Sequence, residues 1–179
     1  MSYALRKATL EEKATLAALI ARSARELSVG DYQPEQVEGA LRGAFGVDTQ
    51  LIRDGTYFVV ESEGAIVACG GWSKRKTLFG GDANEQRDPG ELDPRTDAAK
   101  IRAFFVDPAH ARRGVGRLLL QRCEDDAQAH GFQRFELMAT LPGQKLYRTC
   151  GYVPGTLVHH PVGDGVTIQF VPMSKAASP

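Results

Sequence analysis

The sequence predicts a mixed α+β domain built on one twisted sheet, and three observations carry that prediction. Apolar periodicity changes along the chain in the order strand, two helices, three strands, helix, strand, helix, two strands, a succession suited to a single sheet covered by helices. Two short turn signals, Glu63-Gly64 and Gly163-Asp164-Gly165, each separate apolar runs and read as hairpins. A length of 179 residues is enough for one core and short of two, so residues 1–179 are expected to form one domain.

Residues 3–8 read as the first strand. Thr9 with Glu12 forms a capping box that opens a helix with Leu16, Leu19, Ile20 and Leu27 on its apolar face. A second helix follows Gln33, with Pro34 at its first position and Val37, Leu41 and Phe45 recurring at helical spacing. Residues 57–60 and 65–72 pair across Glu63-Gly64, and residues 100–106 form the next strand, leading to a helix over about 114–130. Residues 133–139 form a further strand, followed by a short helix around Tyr147. The last two strands, 152–159 and 166–173, flank the Gly163-Asp164-Gly165 turn. Residues 73–99 fit none of these elements. Polar, rich in Gly and Pro, and carrying six acidic side chains from Asp82 to Asp97, they read as a long insertion, either a solvated loop or a substrate lid, whose end must approach the strand at 100–106.

Composition narrows the function classes. Lys plus Arg equals Asp plus Glu, 22 each, which gives no electrostatic case for binding nucleic acid or a membrane surface. The N-terminal residues contain no apolar stretch of signal-peptide length and no run reaches membrane-span length, so a cytoplasmic location is expected. Cys69, Cys123 and Cys150 are odd in number and widely spaced, which argues against a disulfide framework. They form no Cys-x-x-Cys pair, and His159-His160 has no third ligand at suitable spacing, so no metal site is expected.

The most informative stretch joins the apolar run Ala103-Phe104-Phe105-Val106 to an amphipathic helix through Arg112-Arg113-Gly114-Val115-Gly116-Arg117. Glycines let the main chain approach a bulky anion, the first helical turn offers unpaired N–H donors at the positive end of its dipole, and three arginines add charge. The spacing fits neither a P-loop nor a dinucleotide-binding Gly-x-Gly-x-x-Gly. It resembles the acyl-CoA motif of the GNAT superfamily of N-acyltransferases: Arg or Gln, two residues, Gly, one residue, then Gly or Ala. Gly114 and Gly116 fit this pattern, while Ala111 stands where Arg or Gln is usual. About thirty residues on, Pro142-Gly143-Gln144-Lys145-Leu146-Tyr147-Arg148-Thr149-Cys150-Gly151-Tyr152 resembles that family's next block, a tyrosine-bearing helix ending in a Gly-aromatic pair.

The resemblance implies a central twisted, mostly antiparallel sheet flanked by helices. It also implies direct transfer of an acetyl group from acetyl-CoA to a primary amine of a small molecule or peptide. Phe104, Phe105 and Val106 would hold the acyl-pantetheine arm and the developing oxyanion through the backbone, and Arg112, Arg113, Gly114, Val115, Gly116 and Arg117 the pyrophosphate. Valine at either position 114 or 116 is expected to abolish binding by meeting phosphate. Tyr147 would assist departure of the thiolate. Against a thiol near 8.5, proton donation from an unperturbed tyrosine near 10 is uphill by roughly 2 kcal/mol, so a hydrogen bond comes first. Lys100-Ile101-Arg102 occupies the place where some relatives carry an acidic base, which leaves Glu136, Glu61 and Asp97 as substitutes. Tyr32, Trp72 and the region of His159-His160 are the acceptor-binding candidates. A non-catalytic acyl-CoA sensor and a nucleotide-binding protein remain alternatives, and a homodimer is compatible with the sequence.

Overall fold

The computed structural model describes residues 2–85 and 87–178; Met1, Gln86 and Pro179, which belong to the expected domain and insertion, lie outside the described residues. One eight-stranded sheet organises the chain. Its strands are β1 (Ala4–Lys7), β2 (Tyr57–Ser62), β3 (Ala65–Ser73), β4 (Ala99–Val106), β5 (Arg134–Thr140), β6 (Val153–Pro154), β7 (Val158–Gly163) and β8 (Val166–Ala176). They lie in the order β1-β2-β3-β4-β5-β8-β6, with β7 also on β8, and among these strands of the described residues only β4 and β5 pair in parallel. Both predicted hairpins close through consecutive positive-φ residues, Glu63 and Gly64 at 52° and 79°, Asp164 and Gly165 at 54° and 72°. That conformation matches the right-handed twist of the flanking strands.

Helices cover both faces. α1 (Lys13–Leu27), α2 (Pro34–Ala40) and α3 (Thr49–Asp54) lie on one face, and α4 (Val115–Ala129) and α5 (Gln144–Thr149) on the other. Strand alternation divides the core accordingly. Phe58 and Val60 of β2 point into the α4 side, Tyr57 and Val59 into the α1 side, and all four are fully buried. The Thr9–Glu12 capping box is present, with the Thr9 N–H donating to the Glu12 carboxylate at 2.9 Å, although one 3-10 turn (Leu10–Glu12) precedes α1.

Three element predictions need correction. α2 stops at Ala40, so Phe45 lies beyond it in a connection, despite its helical spacing from Val37 and Leu41. α3 has six residues, too few for a periodic pattern, but its ends are marked by Asp48, whose carboxylate accepts from Leu51 N–H at 3.4 Å, and by Gly55 at φ 74°. The strand expected over 152–159 divides into β6 and β7, because Gly155 N–H turns to the Pro172 carbonyl at 2.7 Å.

The insertion between β3 and β4 is a docked arm. Its two legs pair through Lys76 N–H to Gly90 O (2.9 Å) and Leu92 N–H to Lys74 O (2.8 Å). Its tip lies backbone to backbone on the connection before α3, where a Cβ on Gly81 would stand 2.8 Å from the Val47 carbonyl oxygen. Asp82 accepts from the Thr49 N–H and hydroxyl at 2.9 and 3.0 Å, and Arg75 grips Asp54 with two bonds of 2.8 and 2.9 Å. At the centre is the fully buried Asp48 carboxylate, which pairs with Arg87 at 2.9 Å and with Arg102 of β4. Arg102 also donates to the carbonyls of Thr77 (3.2 Å) and Gly80 (2.6 Å). Burial lowers the Arg102 pKa and Asp48 opposes that shift.

Candidate active site

The cleft arises from a defect in the sheet. β4 and β5 pair only at Ala99 with Phe135 and Lys100 with Glu136, and beyond that point the two strands diverge. β4 is also irregular where it meets β3, its register shifting between Cys69 and Gly71, with Ala103 at φ 55°. The Tyr57 hydroxyl donates to the Ala103 carbonyl at 2.9 Å and ties down this bulge. The β5-facing edge of β4 therefore presents backbone groups to the gap instead of to a strand. Around it opens a cleft of about 740 Å³, and Phe104, Phe105 and Val106 lie on its wall.

One end of the cleft is the cradle. Arg112 (φ 62°) and Gly114 (φ 83°) both adopt left-handed conformations, so the chain curls immediately before α4. The first amides of this 15-residue helix face outward without intrahelical partners. A Cβ built on Gly114 meets nothing within 4 Å, whereas one on Gly116 would lie 2.9 Å from Leu146 Cδ2. Both glycines line the cleft, Gly114 at its open face and Gly116 also close to the Leu146 side chain of α5. Arg112, Val115 and Arg117 line the cleft, as does Lys145 of α5, which the sequence reading did not single out; Arg113 is not on the wall. Two positive-φ residues, one on either side of Arg113, an open face at Gly114, a long helix's N-terminus and basic side chains together fit a pyrophosphate.

Tyr147 projects from α5 into the same cleft. Its ring lies between Phe104 and Tyr152, with centroids 6.3 and 5.9 Å away, and its hydroxyl has no hydrogen-bond partner among the described residues. Burial pushes the phenol well above its ordinary pKa. The Leu146 and Tyr147 carbonyls both accept from Cys150 N–H at 3.1 Å, and Gly151 at φ 94° ends the helix as its residue type suggests.

The acceptor candidates fare differently. Trp72 is fully buried on the α4 face, its indole N–H donating to Asp126 at 2.8 Å, and is absent from the cleft wall. Tyr32 is buried as well. Its hydroxyl donates to the Gln169 carbonyl at 2.6 Å and accepts from Leu141 N–H at 2.8 Å, fastening β8 to the turn after β5. Both are packing residues, because each polar tip is already matched inside the fold. His159 is exposed, while the His160 ring packs on Phe79 and Phe170 at 4.9 and 5.9 Å. The carboxylates considered as bases are also engaged elsewhere: Glu136 with Lys100, Glu61 with Arg6, and Asp97 with the Asp93 N–H. None of the three lines the cleft. Asp31, in the α1–α2 connection, is the one acidic side chain on the wall among the described residues.

The acetyltransferase (GNAT) family model matches residues 22–152. No curated protein sequence matches the chain significantly. Among solved structures, a GCN5-related N-acetyltransferase from Rhodopseudomonas palustris is similar at a TM-score of 0.72 and 20% identity, covering 98% of this chain and 96% of that one. The PaiA N-acetyltransferase of Thermoplasma acidophilum, in complex with coenzyme A, gives 0.66 and 14% over 98% and 99% of the two chains. YncA of Salmonella typhimurium, with its cofactor acetyl-CoA, gives 0.64 and 14% over 100% and 96%. At these identities the three structures support the fold alone.

Proposed function

Because the chain belongs to the GNAT acetyltransferase family, whose model spans residues 22–152, we propose that it transfers the acetyl group of acetyl-CoA directly to a primary amine of a small molecule or peptide. The observation that carries this reading is one continuous cleft joining the anion cradle at Gly114, the unpaired edge of β4 and the Tyr147 ring. In it the first turn of α4, Arg112 and Arg117 hold the pyrophosphate, and the backbone of Phe104, Phe105 and Val106 holds the acyl arm and donates to the carbonyl oxygen as charge develops there. Tyr147 stays protonated and donates a hydrogen bond to the departing sulfur. Its raised pKa makes full proton transfer costlier than for a free tyrosine, so the sulfur leaves as the thiolate and is later protonated by solvent exchange with the proton that the amine releases.

Two measurements test the reading. Acetyl-CoA at about a hundredfold excess over Kd is expected to add about 2.7 kcal/mol of stability. For a chain of this length that raises Tm by roughly 5–11 °C. No calorimetric binding at millimolar acetyl-CoA would overturn it. Tyr147→Phe is expected to keep acetyl-CoA affinity and lower the single-turnover rate about 10- to 150-fold, the scale of one hydrogen bond to a charged group. An unchanged rate would remove Tyr147 from the mechanism. Ala111, in place of the usual Arg or Gln, is the observation that favours an acyl-CoA sensor instead, and amine-dependent release of free thiol separates enzyme from sensor.

A further inference from the structure

The cleft continues past the β4/β5 gap into a basin on the α1–α3 face, opposite the face that carries α4 and Tyr147. Phe105 meets Phe45 edge to face at 5.7 Å, Phe45 meets Phe170 at 6.0 Å, and Phe170 meets Phe79 of the docked arm at 5.6 Å. All four rings and Met138 line the cleft and pack with the α1–α3 core cluster. The cation nearest this wall in sequence, Arg102, is already paired with Asp48 and bonded to two carbonyls. Arg112, Arg117 and Lys145 belong to the cradle and α5. Among the described residues the basin is thus aromatic, its neighbouring Arg102 is already matched by Asp48, and the exposed Asp31 carboxylate is the acidic group on the cleft wall.

From this geometry we propose that the acceptor is a small primary amine on an apolar aromatic body, an arylalkylamine in chemical class, an assignment that rests on the acetyl-transfer reading above. The rings supply stacking and edge contacts for a planar group. Asp31 attracts the ammonium from solvent, and the apolar surroundings then lower the amine's pKa, favouring the neutral nucleophile without a carboxylate base in the interior. The amine nitrogen forms a bond to the thioester carbon, and the carbon–sulfur bond breaks with its electron pair left on sulfur. One amine proton passes to water and the thiolate takes one from water, leaving amide and free thiol. A free amino acid would bury its own carboxylate with no cation to meet it, and a polyamine would bury further ammonium groups with no carboxylates to meet them.

The test compares thiol release with 2-phenylethylamine, phenylalanine, spermidine and a peptide amide beginning with phenylalanine, alongside calorimetric titration of acetyl-CoA. The expected kcat/KM for 2-phenylethylamine exceeds those for phenylalanine and spermidine by at least about a hundredfold, the scale of a buried charge left unmatched. Phe79→Ala is expected to raise KM for 2-phenylethylamine about tenfold while leaving acetyl-CoA affinity unchanged. Should that variant lose acetyl-CoA binding through misfolding, Asp31→Asn at an exposed position takes its place, with kcat/KM for 2-phenylethylamine expected to fall severalfold at low ionic strength. Spermidine or phenylalanine equalling the arylalkylamine, the peptide outrunning it tenfold, or a folded variant with unchanged kinetics would overturn the assignment. Acetyl-CoA binding without turnover of 2-phenylethylamine would also sink it and leave the family reaction standing, whereas absence of acetyl-CoA binding would sink both.

Discussion

Gly114→Val is expected to weaken acetyl-CoA binding by at least about a hundredfold, which corresponds to roughly 2.7 kcal/mol. Two effects combine at that position. The residue has φ 83°, where a β-branched side chain is strained by about 1–3 kcal/mol, so the turn before α4 must rearrange. The new side chain also projects into the open face of the cradle, where no protein atom lies within 4 Å of the Cβ. Gly116→Val is expected to act by another route. Its Cβ would stand 2.9 Å from Leu146 Cδ2, the tip of a flexible side chain next to Tyr147 in sequence, so the Leu146 side chain must turn aside and affinity is expected to fall less than in Gly114→Val. Calorimetric titration and single-turnover rates on both variants separate the two routes. Wild-type affinity in Gly114→Val would show that the anion is held elsewhere.

Asp48→Ala is expected to destabilise the fold by about 3–5 kcal/mol, the range for removing one partner of a buried ion pair. Asp48 is fully buried and pairs with two guanidiniums, and its Oδ1 also caps α3 through Leu51 N–H. Its removal leaves Arg102 buried without a counter-charge. In a chain of this length Tm is expected to fall by roughly 6–20 °C. Adding Arg102→Met to Asp48→Ala is expected to recover part of the loss, because the deeply buried charge is then gone and only the partly exposed Arg87 has lost its partner. A loss below about 1 kcal/mol in the single variant, measured by urea unfolding, would show that water reaches this node.

The legible parts of the chain were those whose signals are local. The two hairpin turns, Gly114 before α4 and the Gly151 helix end each follow from a backbone conformation that few residue types adopt, and the helix starts at Thr9 and Pro34 from capping side chains and a fixed proline φ. Composition could not reveal the docking of the arm at 73–99, because its acidic side chains look solvated until the partners of Asp82 and Asp88 are known. Asp82 meets Thr49, and Asp88 uses its own backbone, its carbonyl accepting from the Thr77 hydroxyl at 2.9 Å. Trp72 and Tyr32 pose the same difficulty: a polar-tipped aromatic suits a ligand site or a buried hydrogen bond equally well, and only its neighbours distinguish the two.

By itself, then, the sequence determined the order of elements apart from α3 and the break between β6 and β7, and it marked the glycine-bearing turn before α4 and the tyrosine helix that follows, since strand and helix periods, glycine φ and helix-end electrostatics act over a few neighbouring residues. The tertiary structure alone decided which side chains share the cleft. Phe45, Phe79, Phe105 and Phe170 lie far apart in the chain and meet because β4 and β5 part after one short parallel pairing and the arm is pinned beside them. Arg102, which stands where some relatives place an acidic base, is paired with a carboxylate 54 positions earlier. Charge and apolar contact act through space, so the character of the acceptor basin is set by which distant segments the sheet brings together.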